Sequence, residues 1–172
     1  MRQRVLLSLL AIPLVAVAFL AAGFGPALIA VAYLAVVTPW LAAIDIREHR
    51  LPNALVLPGI GVGLLSCAGE WVVSARAPLA PLVAGVAYAG FLLVLNLIGG
   101  MGMGDVKLGA VLGFSSWGLT IAVLSPVVAF FGGGVVSLVL LIAGRRGQRI
   151  AFGPFLLGGF WVAVGLVALA RL

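Results

Sequence analysis

The chain has 172 residues, 65% hydrophobic and 8% charged, which lies far outside the range of soluble globular domains. Its net charge of +6 does not point to nucleic acid, because the basic residues are scattered among loops and form no stripe; they serve better as topology signals. The single cysteine, Cys67, lies in an apolar run and excludes an internal disulfide or a cysteine-based zinc site within the chain.

Apolar runs long enough to span a bilayer, about 20 residues each, recur along the sequence. The first is roughly 5–24. It follows a basic start and has the look of a signal peptide, but its length and the immediate second run favour a retained span. "GFGP" (23–26) is a tight turn, and the second span is roughly 26–44. "DIREHRLPN" (45–53) is the first clearly polar loop. The third span is roughly 54–73 and the fourth roughly 80–98, followed by a glycine-rich break.

Residues 107–143 hold either one long helix or two shorter spans, with "SSWG" (115–118) and Pro126 as candidate breaks. A last span covers roughly 155–170. The distribution of positive charge decides the doubtful region. With two spans there, one side holds Arg2, Arg4, Arg47, Arg50, Lys107, Arg145, Arg146 and Arg149, against Arg76 and Arg171, eight to two. With one span, the three arginines at 145–149 cross over and Arg171 returns, giving six to four. The expectation is an all-α polytopic membrane protein of about seven spans, N-terminus in the cytoplasm. Residues 1–25 form an extra N-terminal segment and 26–172 the main membrane domain. Gly59/Gly63 and Gly109/Gly113 have the spacing that lets helices approach closely.

This topology brings Asp45, at the end of the second span, and Asp105, at the start of the fifth, to one face at equal depth. Each has a bland explanation. Asp105 follows a glycine and precedes a helix, as an N-cap does. Asp45 stands at a helix C-terminus, where the macrodipole disfavours an anion, with Arg47 and Arg50 near enough to compensate. The chain has only four acidic residues. Glu48 reads as a solvated loop residue, and Glu70 lies near the far end of the third span with Arg76 as a candidate partner. A carboxylate pair beside a glycine-rich break in a membrane is a functional candidate.

Two aspartates a few ångströms apart cannot both stay ionised. The ionised one takes a proton from water as it attacks a peptide carbonyl. The protonated one donates to the carbonyl oxygen, and the proton drawn from water then passes to the leaving amine. This is aspartic protease chemistry, and it needs no metal and no cofactor. Gly102 and Gly104, before Asp105, let a helix start abruptly and a substrate backbone lie close. "GMGDVKLG" lacks the ending of a phosphate-binding loop, and Lys107 stands where a dinucleotide fingerprint needs glycine. His49 is alone and reads as a solvated loop residue.

Three segments in order resemble the type IV prepilin peptidases, membrane aspartic proteases of the GxGD class. "DIREHRLPN" is similar to the family's first aspartate loop, with Leu51, Pro52 and Asn53 after the aspartate. "GMGDVKLG" resembles the GxGDxKL signature, giving Gly102, Gly104, Asp105, Lys107 and Leu108. "RIAFGPFLLGG" (149–159) is similar to a third segment, matching at Phe152, Gly153, Pro154 and Phe155, with Ala151 in place of a proline. The resemblance covers roughly 30–170. It implies Asp45 and Asp105 as the catalytic pair and a bacterial plasma membrane location. The implied reaction is cleavage of the short basic leader of pilin-like precursors at the cytoplasmic face. Its implied partners are that precursor and membrane lipid.

Plainer roles stand beside these: Pro52-Asn53 as turn and N-cap of the third span, Pro154 as a first-turn proline, and Lys107 as a topology charge rather than a contact to substrate or aspartate. Many family members carry an insert with two cysteine pairs linked to N-methylation. With one cysteine and no insert, the expectation is peptidase activity without methyltransferase activity and without bound zinc. The competing readings are a transporter or assembly scaffold using the aspartates for protons or ions, and a GxGD protease that cuts within transmembrane helices.

Overall fold

The computed structural model describes residues 2–99, 101–144 and 150–172. These residues form seven helices, and no strand occurs among them: α1 Arg2–Ala22, α2 Pro26–Glu48, α3 Asn53–Ser74, α4 Leu79–Leu97, α5 Met103–Phe114, α6 Leu119–Ile142 and α7 Gly153–Leu169. Each expected span corresponds to one helix. The arginines at 145, 146 and 149 used in the charge argument lie outside the described residues.

Local chemistry sets the boundaries. Gly23 takes a φ of 66° and closes α1 with its N–H on the Phe19 carbonyl. Pro26 then opens α2, where a missing N–H costs nothing. Four helices, α2, α3, α4 and α6, are long and apolar enough to cross a membrane. α5 is not: its 12 residues rise about 18 Å against a hydrocarbon core of about 30 Å.

Two boundaries differ from the sequence expectation, and at a third one of two candidate breaks is taken. α2 runs on through Asp45 to Glu48, so the first polar loop shrinks to residues 49–52. α5 begins at Met103, inside the glycine run, because Gly102 supplies an extended N-cap. The break between α5 and α6 falls at 115–118, and Pro126 lies inside α6. As the eighth residue of the helix, in its third turn, it removes one bond of the ladder.

α5 is the centre of the bundle, with seven of its residues buried, Val106 and Leu108 through Gly113. Gly59 and Gly63 on α3 face it: a Cβ at each would stand 2.9 Å from Val111 and 2.8 Å from Phe114. On its other side, Gly113 lies so close to α4 that a Cβ would fall 2.5 Å from the Ala84 carbonyl oxygen and the Gly85 Cα. The small-residue spacing in the sequence thus marks real helix crossings. α7 packs on α6 through Gly159, whose Cβ would meet the Ser125 carbonyl oxygen at 2.4 Å. α1 closes the outside against α2 and α7, burying Ala18 and Ala21. Large apolar side chains such as Val72, Leu79, Phe131 and Ile142 point outward, as lipid contact requires.

Candidate active site

Asp45 lies in the last turn of α2 and is 4% exposed. Its carboxylate Oδ2 accepts the backbone N–H of Gly153 at 2.9 Å. Gly153 is the first residue of α7, so the free N–H groups and positive dipole end of one helix face an anion stranded at the negative end of another. This answers the difficulty at Asp45 differently from the sequence expectation. Neither Arg47 nor Arg50 compensates it; Arg50 Nε pairs with Glu48 at 2.6 Å instead, and Glu48 is an exposed helix-end residue rather than part of a loop. A Cβ at Gly153 would stand 2.7 Å from Asp45 Oδ2, which is why this N–H is delivered by glycine. Pro154 follows in the first turn of α7, as expected.

Asp105 is the third residue of α5, not its N-cap. The N-cap is Gly102, whose carbonyl accepts the Asp105 N–H at 3.1 Å and whose N–H reaches Asp105 Oδ2 at 3.3 Å. Asn96 holds the approach to this cap, donating to the Met101 carbonyl at 2.7 Å. Asp105 stands in the first turn of a helix too short to cross the membrane, at the bundle end it shares with Asp45. Its carboxyl is pushed up to about 6, first by burial and second by the negative charge of Asp45, against the pull of the Gly102 N–H.

The two glycines before Asp105 do different things. A Cβ at Gly104 would meet Leu51 Cβ at 3.1 Å, so this position is needed for packing. A Cβ at Gly102 would find only Asp105 Oδ2 at 3.4 Å and the Gly104 nitrogen at 4.0 Å; that face is open to the cavity. Leu51 also reaches α7, where its Cδ2 would lie 3.3 Å from a Cβ on Gly153. One leucine therefore packs against the glycines that precede or hold each aspartate. The sequence signal for it was an apolar residue in a charged loop.

Pro52 caps α3 and Asn53 is its first residue, so Asn53 is not the cap. Its Oδ1 accepts from Lys107 Nζ at 3.0 Å. Lys107 thus ties the segment after the first aspartate to the segment after the second; the hydrogen bond it makes is to Asn53 and not to an aspartate.

Asp45 and Asp105 line one cavity of about 700 Å³, together with His49, Met101, Gly102, Phe130, Ser137 and Phe152. His49 ends α2 at a φ of 49° and is exposed, but it stands at the cavity wall rather than in open solvent. Phe130, Ser137 and the tilted ring pair Phe130–Phe152, 5.1 Å apart, were not foreseen; an aromatic within a long apolar run carries no separate signal. Among the described residues no three His, Cys, Asp or Glu gather as a metal site would need. A cavity of this size with carboxylates on its wall admits water, and Asp45, Asp105 and His49 are groups there able to hold and move a proton.

Residues 28–142 match the model of the type IV leader peptidase family. The chain is 35% identical over 140 residues to a prepilin leader peptidase/N-methyltransferase of Pseudomonas putida, covering 72% of this chain and 45% of that one. The corresponding protein of Burkholderia pseudomallei strain 1026b is 35% identical over 147 residues, covering 79% and 46%. That of Escherichia coli K12 is 31% identical over 133 residues, covering 74% and 59%. The chain spans about half the length of the curated relatives it matches. No solved structure gives a significant match. With two thirds of its residues matched by that model, and both aspartate segments inside the match, the chain belongs to the type IV leader peptidase family.

Proposed function

We propose that the chain is an aspartic endopeptidase that removes the basic leader of a type IV pilin-like precursor. The observation that carries this reading is the placement of Asp45 and Asp105, 60 residues apart in sequence, on the wall of one cavity. Asp45, held by the start of α7, is the ionised member and draws a proton from the attacking water. Asp105, whose carboxyl is raised by burial and by the charge of Asp45, donates its proton to the carbonyl oxygen. The proton that Asp45 took from water then passes to the leaving amine, and the collapsing tetrahedral hydroxyl returns a proton to Asp105. The titration belongs to the pair.

Cleavage takes place at the cytoplasmic face of the bacterial plasma membrane. Arg47, Arg50 and Lys107 lie around the aspartates, which supports that orientation. Residues 26–172 form the peptidase domain and 1–25 an added segment, a division supported by the family match beginning at residue 28. The relatives are named for both peptidase and N-methyltransferase activity; we infer that these residues perform the first only. The single cysteine is buried in packing, with Cys67 Sγ 3.6 Å from the Phe114 carbonyl oxygen.

The test is co-expression with pilin precursors of the same genome, reading the processed N-terminus by mass spectrometry. A leader cut that is lost in both Asp45→Asn and Asp105→Asn establishes the reading, and an unmethylated product supports the single activity. Cleavage that survives both substitutions overturns it and leaves the aspartates as structure.

A further inference from the structure

At the other end of the bundle α5 stops short. Its 12 residues rise about 18 Å, while the 19 residues of α4 beside it rise about 28 Å. The turn 115–118 therefore closes at membrane depth. Non-helical backbone is tolerable there only against protein or a watery cavity. A cavity of about 420 Å³ lies at this place, between the end of α3, the start of α4 and the end of α5.

Its lining is unlike the lipid-facing surface around it. Glu70 and Arg76 both contribute to the wall, yet they do not form the ion pair expected from the sequence; among the described residues the pair within 4.0 Å is Arg50 with Glu48. Ser115, 3% exposed, also lines the cavity, and its buried Oγ has no hydrogen-bond partner. The start of α4 adds a helix N-terminus at Pro78–Ala80; Pro78 and Pro81 have no N–H and the Leu79 N–H is on the Ala77 carbonyl, so its donor is Ala80 with the helix dipole behind it. A half-buried carboxylate and an exposed guanidinium thus line one space without pairing, beside a buried hydroxyl that has no partner. Leaving that hydroxyl unmet is costly. Beside the cavity stand the exposed apolar side chains of Trp71, Val72 and Leu79, an aromatic and aliphatic rim of the kind found at membrane interfaces.

We propose that this cavity binds the phosphoethanolamine headgroup of a membrane lipid. The phosphate meets Arg76 and the start of α4, the ammonium donates to Glu70, and the acyl chains leave over Leu79 and Val72. Glu70 selects for a primary ammonium, because a carboxylate needs N–H donors and a quaternary choline has none. Arg76 selects for the phosphate. The site is remote from the aspartates and does not depend on their role.

The full chain in lipid-free detergent is offered dioleoyl phosphatidylethanolamine or dioleoyl phosphatidylcholine, and retained lipid is read by native mass spectrometry with thermal melting alongside. Retention of the ethanolamine lipid over the choline lipid by about tenfold is expected, the worth of one hydrogen bond to a charged group. Glu70→Gln removes the preference, Arg76→Gln lowers retention of both lipids alike, and Glu48→Gln, at the other end of the bundle, changes neither. Equal retention of the two lipids by the parent chain overturns the proposal, and so does a preference that survives Glu70→Gln or a retention that Arg76→Gln leaves unchanged. Soluble glycerophosphoethanolamine is the remaining arm: if it raises the melting temperature as much as the lipid does, the ligand is a free phosphoamine and the lipid assignment falls.

Discussion

A methyl group at Gly153 would stand 2.7 Å from Asp45 Oδ2 and 3.3 Å from Leu51 Cδ2. Gly153→Ala must therefore push Asp45 or α7 aside, and cleavage of a precursor is expected to fall by about 100-fold, as for an ångström-scale misplacement of a reacting group. Gly102→Ala is the contrast. Its Cβ makes only ordinary contacts, so melting temperature should hold; a loss of cleavage with stability intact would show that substrate backbone passes over that glycine. The pH response belongs to Asp105. Its folded carboxyl is raised from 3.8 to about 6, so the folded state binds the proton more tightly than the unfolded one. That contribution is fully present below about pH 4 and is lost as pH rises through about 6. Asp105→Asn should flatten the decline in melting temperature between those values and leave the variant the more stable protein at neutral pH. A parent and variant with parallel pH profiles would refute this. None of this was visible at Asp45 in the sequence. The residue sits at the wrong end of its helix for an anion, and the donor that settles it comes from a segment 108 residues on, which the sequence marked by its motif but not as a partner of Asp45.

Helix against helix, two contacts matter most. Lys107 Nζ on Asn53 Oδ1 joins α5 to α3 at the aspartate end. A double-mutant cycle with Lys107→Met and Asn53→Ala should return a coupling of about 0.5–1.5 kcal/mol, read from denaturation; a coupling near zero would make the lysine a topology charge alone. The α4–α5 crossing is tighter. Gly113→Ala forces a Cβ to within 2.5 Å of the Ala84 carbonyl oxygen and should cost about 1–3 kcal/mol, as over-packing does. Gly90→Ala on the same α4 meets nothing within 4 Å and should gain about 0.5–1 kcal/mol. The sequence foretold these crossings through the spacing of Gly59/Gly63 and Gly109/Gly113, because close approach demands small residues at fixed intervals. It misplaced the start of α5 because glycine reads as a breaker, while Gly102 in fact caps the helix and Gly104 lies inside it against Leu51. It put a possible break at Pro126, where an apolar helix simply absorbs the missing bond.

For the molecule as a whole, the apolar exterior and the two polar cavities set its orientation in a membrane. The aspartates lie at one end, and Glu70 and Arg76 at the end to which α3 and α5 run. A cysteine introduced at His49 and one at Ala77 should react with impermeant maleimide from opposite sides of a sealed vesicle, with Cys67 silent because it is buried. Labelling of both from one side would refute the arrangement. Composition and charge were enough to foresee a helical membrane bundle with both carboxylates at one face. They could not show that α5 stops short and leaves a cavity behind it, since a length deficit appears only beside the neighbouring helix. The hydrogen bond from Gly153 to Asp45 also has a meaning in time. It spans 108 residues, and at ordinary rates of synthesis roughly 5–20 s separate the two positions as they leave the ribosome. Through that interval Asp45 has been made without its donor, and the cavity lacks the Phe152 side of its wall. The helix that completes the site is made after every other helix described, so a nascent chain crosses the whole course of its insertion before the two carboxylates are held in place.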